Sequence, residues 1–495
     1  MLKIIPQPQV IRINQGTMPF KHLALGDSLI SPLATEDFAQ FCNLPTGQIN
    51  VHFSLDSTFG DEEYTLTIDD KIAITASTAT GQLYALQTLK QIIAQCGDAL
   101  PNLEIKDKPA YKIRGYMLDV GRYFYSVADV KKIIRSMAMH KLNLLHFHLT
   151  EDQGWRVEID KYPLLTEIGS KRARTNFNHK SHGGFYTKED IRDIVDYAHA
   201  FGVKVMPEFD IPGHSRAAIA SYNDLTCFPR DLPVADHWGV KHDVLCVGKD
   251  STLDFVRDVI DELVEMFPDE YIHIGGDEVP KHRWDLCPNC QRRIKELGLE
   301  NSEQLQFWFM NKVKDYCKSL GKQVFMWNWD LKESSALDDD LGFTKCSDTD
   351  TGDRPFIDTS TNAYYIDFPY GYTSLKDSAN HTVPKGNCVG VEVTMWTEMV
   401  PDMAKLEEMS YPRTACVAQM GWQGNCSWSN ISYSLDTYLA FLDRNGIKYA
   451  SIKKANPNWL RGKLQGLWFE RRQLTWQGLT NIIDDKKIEK IAKNK

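Results

Sequence analysis

Two adjacent carboxylates, Asp277 and Glu278, follow the run Tyr271-Ile-His-Ile-Gly-Gly. The apolar stretch up to Ile274 reads as a buried strand, and the glycine pair permits a sharp turn or a close approach to a ligand. Neighbouring side chains at a strand end leave to different sides, so the two acids are expected to address different parts of one ligand. Paired acids in a cleft suit glycoside hydrolysis, where one carboxyl stays protonated to donate to the departing oxygen. The same turn can hold a divalent metal, and a plain acidic surface loop would carry the same letters.

Such a pair needs a scaffold that presents it. From residue 113 onward, strand-like and helix-like segments alternate. Strands are expected over residues 114–120, 142–149, 203–209, 271–274, 323–327, 363–366, 389–395 and 415–420. Helices are expected over 126–140 and 187–201, opened by Ser126-x-x-Asp129 and Thr187-x-x-Asp190, which have capping-box form. Alternation of this kind predicts an α/β fold of the (β/α)8 TIM-barrel type. An open doubly wound sheet is the competitor, but no Gly-x-Gly-x-x-Gly follows a strand here. Polar and aromatic residues fall after each expected strand: Arg122, Glu151, His214, Asp277 with Glu278, Trp327, Tyr365 with Asp367, Trp396 with Glu398, and Trp422. Groups at the carboxyl ends of successive barrel strands converge on one pocket.

Residues 1–107 read as a small α+β domain preceding the barrel. Segments 64–68 and 71–76 alternate as strands around Asp69-Asp70, and a helical pattern over 78–94 puts Leu83, Leu86, Leu89 and Ile92 or Ile93 on one face. The barrel is expected over 108–433, with a helical segment over 434–495 completing it or packing on it. A chain of 495 residues with 42% hydrophobic and 25% charged content is that of a soluble globular protein. A net charge of −9 argues against nucleic acid as a partner. No run approaches the ~18 apolar residues of a membrane span, and the amino terminus carries no secretory apolar region. Eleven scattered cysteines do not form a disulfide framework, which points to a cytoplasmic location. Cys287-Pro-Asn-Cys290 is the only Cys-x-x-Cys; a zinc ribbon requires a second such pair and none follows, so it is assigned no function.

Five ordered motifs resemble those of glycoside hydrolase family 20, the β-N-acetylhexosaminidases. They are Arg114-Gly-Tyr-Met-Leu-Asp119-Val-Gly-Arg122, His146-Phe-His148-Leu-Thr-Glu151-Asp152-Gln-Gly-Trp155-Arg156, Met206-Pro-Glu208-Phe-Asp210-Ile-Pro-Gly-His214, His273-Ile-Gly-Gly-Asp277-Glu278 and Met395-Trp396-Thr-Glu398. The resemblance implies a retaining exo-glycosidase that releases terminal β-linked N-acetylhexosamine from an oligosaccharide or glycoconjugate. In that family the substrate's own acetamido oxygen is the nucleophile and an oxazolinium ion is the intermediate, an exception to the two-carboxylate scheme. By the same resemblance Glu278 is the general acid and base, Asp277 holds the acetamido N–H, and Tyr365 donates to the acetamido oxygen. Arg122, Asp367 and Glu398 bind ring hydroxyls, Trp327 and Trp396 wall the acetyl group, and Glu151 with His214 forms a supporting dyad.

The chain departs from the family pattern at three places. Glu151 stands where an aspartate is usual, Gln419 where a glutamate is usual, and no third pocket tryptophan occurs between Trp329 and Trp396. The segment 341–353 reads as short and polar, which predicts an acetyl pocket open on one side. No cofactor or metal is implied. The alternatives are a sugar-binding barrel without catalysis and a metal-dependent barrel hydrolase using His146 and His148 with Glu208, Asp210 and His214.

Overall fold

The computed structural model describes residues 2–19, 24–42, 49–96, 99–175, 179–329, 331, 336–476 and 479–493. In the first part, strands Tyr64–Ile68 and Ile72–Ala76 pair antiparallel in a six-stranded sheet, each with every second side chain buried. Helix Ala79–Cys96 lies between this sheet and the rest of the molecule and is buried around most of its circumference over 81–93. The hairpin and the helix expected from periodicity are therefore both present.

Eight parallel strands close into a barrel: Ile113–Asp119, Leu144–His148, Lys204–Glu208, Tyr271–His273, Gln323–Trp327, Gly342–Lys345, Phe356–Asp358 and Cys388–Met395. They are numbered here first to eighth in that order. Helices Val127–Met139 and Lys188–Ala200 begin at Ser126 and Thr187, whose hydroxyls accept from the Asp129 and Asp190 backbone N–H groups while those carboxylates bond back. Each reciprocal pair satisfies two otherwise orphaned donors and fixes where the helix starts.

Two expected strands are not barrel strands. Residues 415–420 lie inside helix Thr414–Gln423, which ends on Gly424 in the left-handed region at φ 78. A short apolar run without alternation fits a buried strand and a buried helix equally. Residues 363–366 form a buried turn past the seventh strand, joined to the eighth only by a bridge between Tyr365 and Thr394. The true sixth and seventh strands have four and three residues, too few to display a period. One of them lies in the segment that reads as polar loop, yet all of Gly342–Lys345 is buried.

The small sheet meets the barrel through buried charge. Asp107 accepts from Tyr64 Oη at 2.5 Å, Lys141 Nζ at 2.9 Å and Trp422 Nε1 at 2.7 Å. Arg114 forms a two-pronged pair with Glu62 at 2.9 and 2.7 Å. Trp422 thus belongs to this seam, not to the pocket. Gln419, on the same helix, accepts from the Gln7 backbone at 2.8 Å, so that departure from the family pattern also lies outside the pocket. Beyond the barrel come helices Trp428–Arg444, Ile452–Ala455, Trp459–Trp476 and Leu479–Lys493. Among the described residues no helix is long and apolar enough to cross a membrane.

Candidate active site

The fourth strand ends at His273, and the chain turns through Gly275 and Gly276 at φ +64 and +97. A Cβ on Gly275 would stand 1.8 Å from Asp210 Oδ1, and one on Gly276 would stand 2.6 Å from Met326 Cε. Only glycine fits both the backbone and the space. Asp210 Oδ1 accepts from the Gly276 N–H at 3.2 Å, which ties this turn to the one after the third strand. Glu278 itself sits at φ 48 and His214 at φ 45, positions that side chains seldom adopt.

The two acids diverge as expected. Asp277 is buried, while the Glu278 side chain is 35% exposed at the pocket mouth. Burial pushes the Asp277 carboxyl up to about 6; His214 opposes this and Glu278 adds to it. Asp277 Oδ1 is buried and has no protein hydrogen-bond partner, so it is free to accept one from a ligand.

Arg122 is the charged centre of the opposite wall. It pairs with Glu151 at 2.7 Å, Asp119 at 3.3 Å and Glu398 at 3.3 Å, with its guanidinium 4.8 Å from the Trp396 ring centre. Glu151 also contacts His214 Nδ1 at 2.5 Å, and His214 Nε2 lies 3.7 Å from Glu278 and 3.9 Å from Asp277. Burial disfavours ionisation of Glu151, but Arg122 and His214 outweigh it and hold the carboxyl down at about 2. Burial likewise disfavours charge on His214, yet Glu151 and Asp210 overcome it, so the imidazole is held protonated.

An apolar cluster forms the pocket floor: Met117, Trp327, Cys346 and Tyr365, with Phe368 and Trp396 against it. The Trp327 and Trp396 ring centres are 5.3 Å apart. Asp367 is buried, and burial with the nearby Glu398 carboxylate holds its own carboxyl well above the usual range. Burial also raises Glu398, against the opposing charge of Arg122. Except for Trp422, the residues expected after the strands therefore gather at one end of the barrel, in two groups that share Trp396.

The model of the glycosyl hydrolase family 20 catalytic domain matches residues 111–425, and that of the family's domain 2 matches 1–108. The chain belongs to glycosyl hydrolase family 20. A β-hexosaminidase of Porphyromonas gingivalis is 36% identical over 79% of this chain and 54% of its own length. One from Akkermansia muciniphila is 32% identical over 78% and 84% respectively. The chain thus spans about half the length of the first relative and most of the second. The exo-β-N-acetylglucosaminidase of Vibrio harveyi, solved with N-acetylglucosamine, superposes with a TM-score of 0.80 at 26% identity, covering 91% of this chain and 78% of that one.

This family 20 chain holds its buried histidines in ways that the sequence does not disclose. Glu208 lies at the centre of the barrel, accepting from His148 Nδ1 at 2.6 Å and from Trp327 Nε1 at 2.7 Å. His146 contacts it at 3.0 Å and bonds Glu392 through the other ring nitrogen at 3.1 Å. Burial disfavours charge on His146, but Glu392 and Glu208 raise it to about 9. His146, Glu208 and His273 lie within metal-binding reach of one another, as do His148, Glu151 and Asp210. Their present partners make them a brace under Trp327, and a metal would have to displace the indole donor. Neither a metal hydrolase nor a binding-only barrel is favoured.

Asp119 and Cys346 escaped assignment from sequence, and Asp210 and Glu208 were named there only as ligands of the alternative metal site. Asp119 accepts from the Arg122 backbone and from Thr397, Asp210 fixes the glycine turn, and Glu208 orients Trp327. Each was visible as an acid inside a quoted motif, without a signal of what it faced. Cys346 follows the sixth strand directly and fills the place between Trp327 and Tyr365. Trp329, the candidate substitute for a third tryptophan, is 39% exposed and outside this cluster.

Proposed function

We propose that this protein is a retaining exo-β-N-acetylhexosaminidase that acts through the acetamido group of its own substrate. The observation that carries this reading is the unpartnered, buried Asp277 Oδ1 set between the aromatic floor and Glu278. Asp277 receives the acetamido N–H and stabilises the positive charge that develops as the carbonyl oxygen attacks the anomeric carbon. The C–O bond to the leaving group breaks as Glu278 gives that oxygen its proton; Glu278 then takes a proton from the water that opens the oxazolinium ring.

Tyr365 steers the acetamido oxygen, and Trp327 and Trp396 hold the acetyl methyl and the sugar's apolar face. Arg122, Glu398 and Asp367 recognise the ring hydroxyls at C3, C4 and C6. The Glu151–His214 pair presents a positive charge to both acids. No metal ion takes part in the bond-breaking step. The substrate is the non-reducing end of an oligosaccharide or glycoconjugate. The cysteines, none of them in a disulfide among the described residues, support a reducing, cytoplasmic setting, which cell fractionation tests.

Side-by-side hydrolysis of aryl β-N-acetylglucosaminide, β-N-acetylgalactosaminide and β-glucoside tests the assignment. Cleavage confined to the acetamido sugars is expected. A β-glucoside cleaved equally fast would remove the acetamido group from the mechanism.

A further inference from the structure

Cys287 and Cys290 are not a pair alone. Cys227 and Cys246, from the long connection after the third strand, reach the same buried point. Cys290 Sγ lies 3.7 Å from both Cys227 Sγ and Cys246 Sγ, and Cys246 Sγ lies 3.7 Å from Cys287 Sγ. All four sulfurs fall within 4.8 Å of one another. A disulfide would require about 2.05 Å. Four thiolates placed tetrahedrally at about 2.3 Å from one zinc ion are spaced about 3.8 Å apart along each edge.

We propose that Cys227, Cys246, Cys287 and Cys290 are the ligands of a structural zinc ion. The backbone is arranged for such a cage. Thr226 and Leu245 are bridged, and the Cys246 N–H donates to Leu225 at 2.7 Å, which sets Cys227 and Cys246 side by side. Cys287 caps helix Pro288–Leu297 with proline in its first turn, and Cys290 follows on the same turn. A Cβ on Gly248 would stand 2.3 Å from both Asn289 C and Cys290 N, so the two ligand-bearing loops touch backbone to backbone. Full sulfur coordination suits zinc or iron, and a cage this small takes one ion and no multi-metal cluster. Sequence spacing hid the site because its second pair precedes the Cys-x-x-Cys and is itself split by eighteen residues.

The ion would bind together the two loops that carry the chemistry. Leu245 donates its N–H to Pro212, two residues before His214, and accepts from Trp284 Nε1 at 2.9 Å. Cys287 lies on the continuation of the Asp277–Glu278 turn. The metal is a staple between loops and not a participant in hydrolysis.

Metal analysis of the purified full chain should find one zinc per molecule, released by a mercurial reagent. Exchange for Co²⁺ should produce the intense thiolate-to-cobalt absorption and the visible bands of a tetrahedral sulfur site. Cys227→Ser and Cys290→Ser should lose the zinc, while Cys317→Ser, a buried cysteine elsewhere, should keep it. If the ligand variants fail to fold, the zinc content and cobalt spectrum of the unaltered chain decide. A metal-free chain, iron in place of zinc, two disulfides by mass spectrometry, or zinc retained in folded ligand variants would overturn the assignment.

Discussion

Glu151 Oε1 stands 2.5 Å from His214 Nδ1 and 2.7 Å from Arg122 Nη2, so one carboxylate oxygen links the arginine to the histidine beside Asp277 and Glu278. Glutamate is longer than aspartate by one methylene, and its base packs directly on Gly121, where a Cβ would meet Glu151 Cβ at 2.5 Å. The wall residue and its glycine neighbour therefore form one unit. Glu151→Gln should deprive His214 of its main countercharge and lower its pKa. The alkaline limb of the kcat/KM profile should move toward neutrality, with a loss of about tenfold or more, equivalent to about 1.4 kcal/mol in the barrier. An unmoved pH profile would make Glu151 a packing residue only.

Glu278→Gln should reduce turnover by about 10²–10⁴-fold, the usual contribution of general acid catalysis. The deficit should be smaller for aryl leaving groups that depart without a proton. Measuring kcat across leaving-group acidities checks this, and a constant deficit would refute the acid role.

Asp277 sets activity against stability. Its carboxyl rises from 3.8 to about 6 in the folded chain, so the folded state binds more protons than the unfolded one between those values. That stability is full below about 3.8 and is lost as pH rises through about 6. Asp277→Asn should therefore raise the melting temperature at pH 7–8, by an amount corresponding to roughly 1–3 kcal/mol, while slowing the chemical step far more than substrate binding. In the unaltered enzyme kcat/KM should decline below pH about 6 as the carboxylate of the free enzyme is neutralised. A variant destabilised at pH 8 would contradict the buried-charge account.

Cys346 packs in one apolar cluster with Trp327 and Tyr365, so on the proposed reading a thiol lines the acetyl pocket in place of a third indole. Burial pushes this thiol up to about 12, so it is a neutral, compact wall. Exchanging an aromatic wall for it forfeits about 1–2 kcal/mol of apolar contact. The enzyme should accept N-propionyl and N-glycolyl substrates with little loss in kcat/KM, and Cys346→Trp should restore a steep preference for N-acetyl. A steep fall with acyl size in the unaltered enzyme would show that the thiol closes the pocket adequately.

Legibility followed from physical extent. The capping boxes at Ser126 and Thr187 and the longer strands were readable because they run for enough residues to show a pattern. The sixth and seventh strands were too short, and residues 415–420 showed no one-sided period because that helix is buried all round. At the site, Asp277, Glu278, Arg122, Glu151, His214, Trp327 and Trp396 were each announced by a motif. Cys346 and the second cysteine pair had no local signature; only the closing of the chain brings them to their partners.

The salt bridge at the seam has a consequence for how the molecule comes apart. Lys141 and Asp107 are both fully shielded from water, one on the barrel and one on the last strand of the small sheet. Replacing either partner alone would strand the other charge in a dry interface at a cost of about 3–5 kcal/mol, a large share of a domain's net stability, so the seam holds only as a matched pair. The unit that supplies no atom to the sugar is therefore bound to the barrel in melting: heat or denaturant should release both in one transition, and a shortened chain starting at residue 108 should be recovered as aggregate.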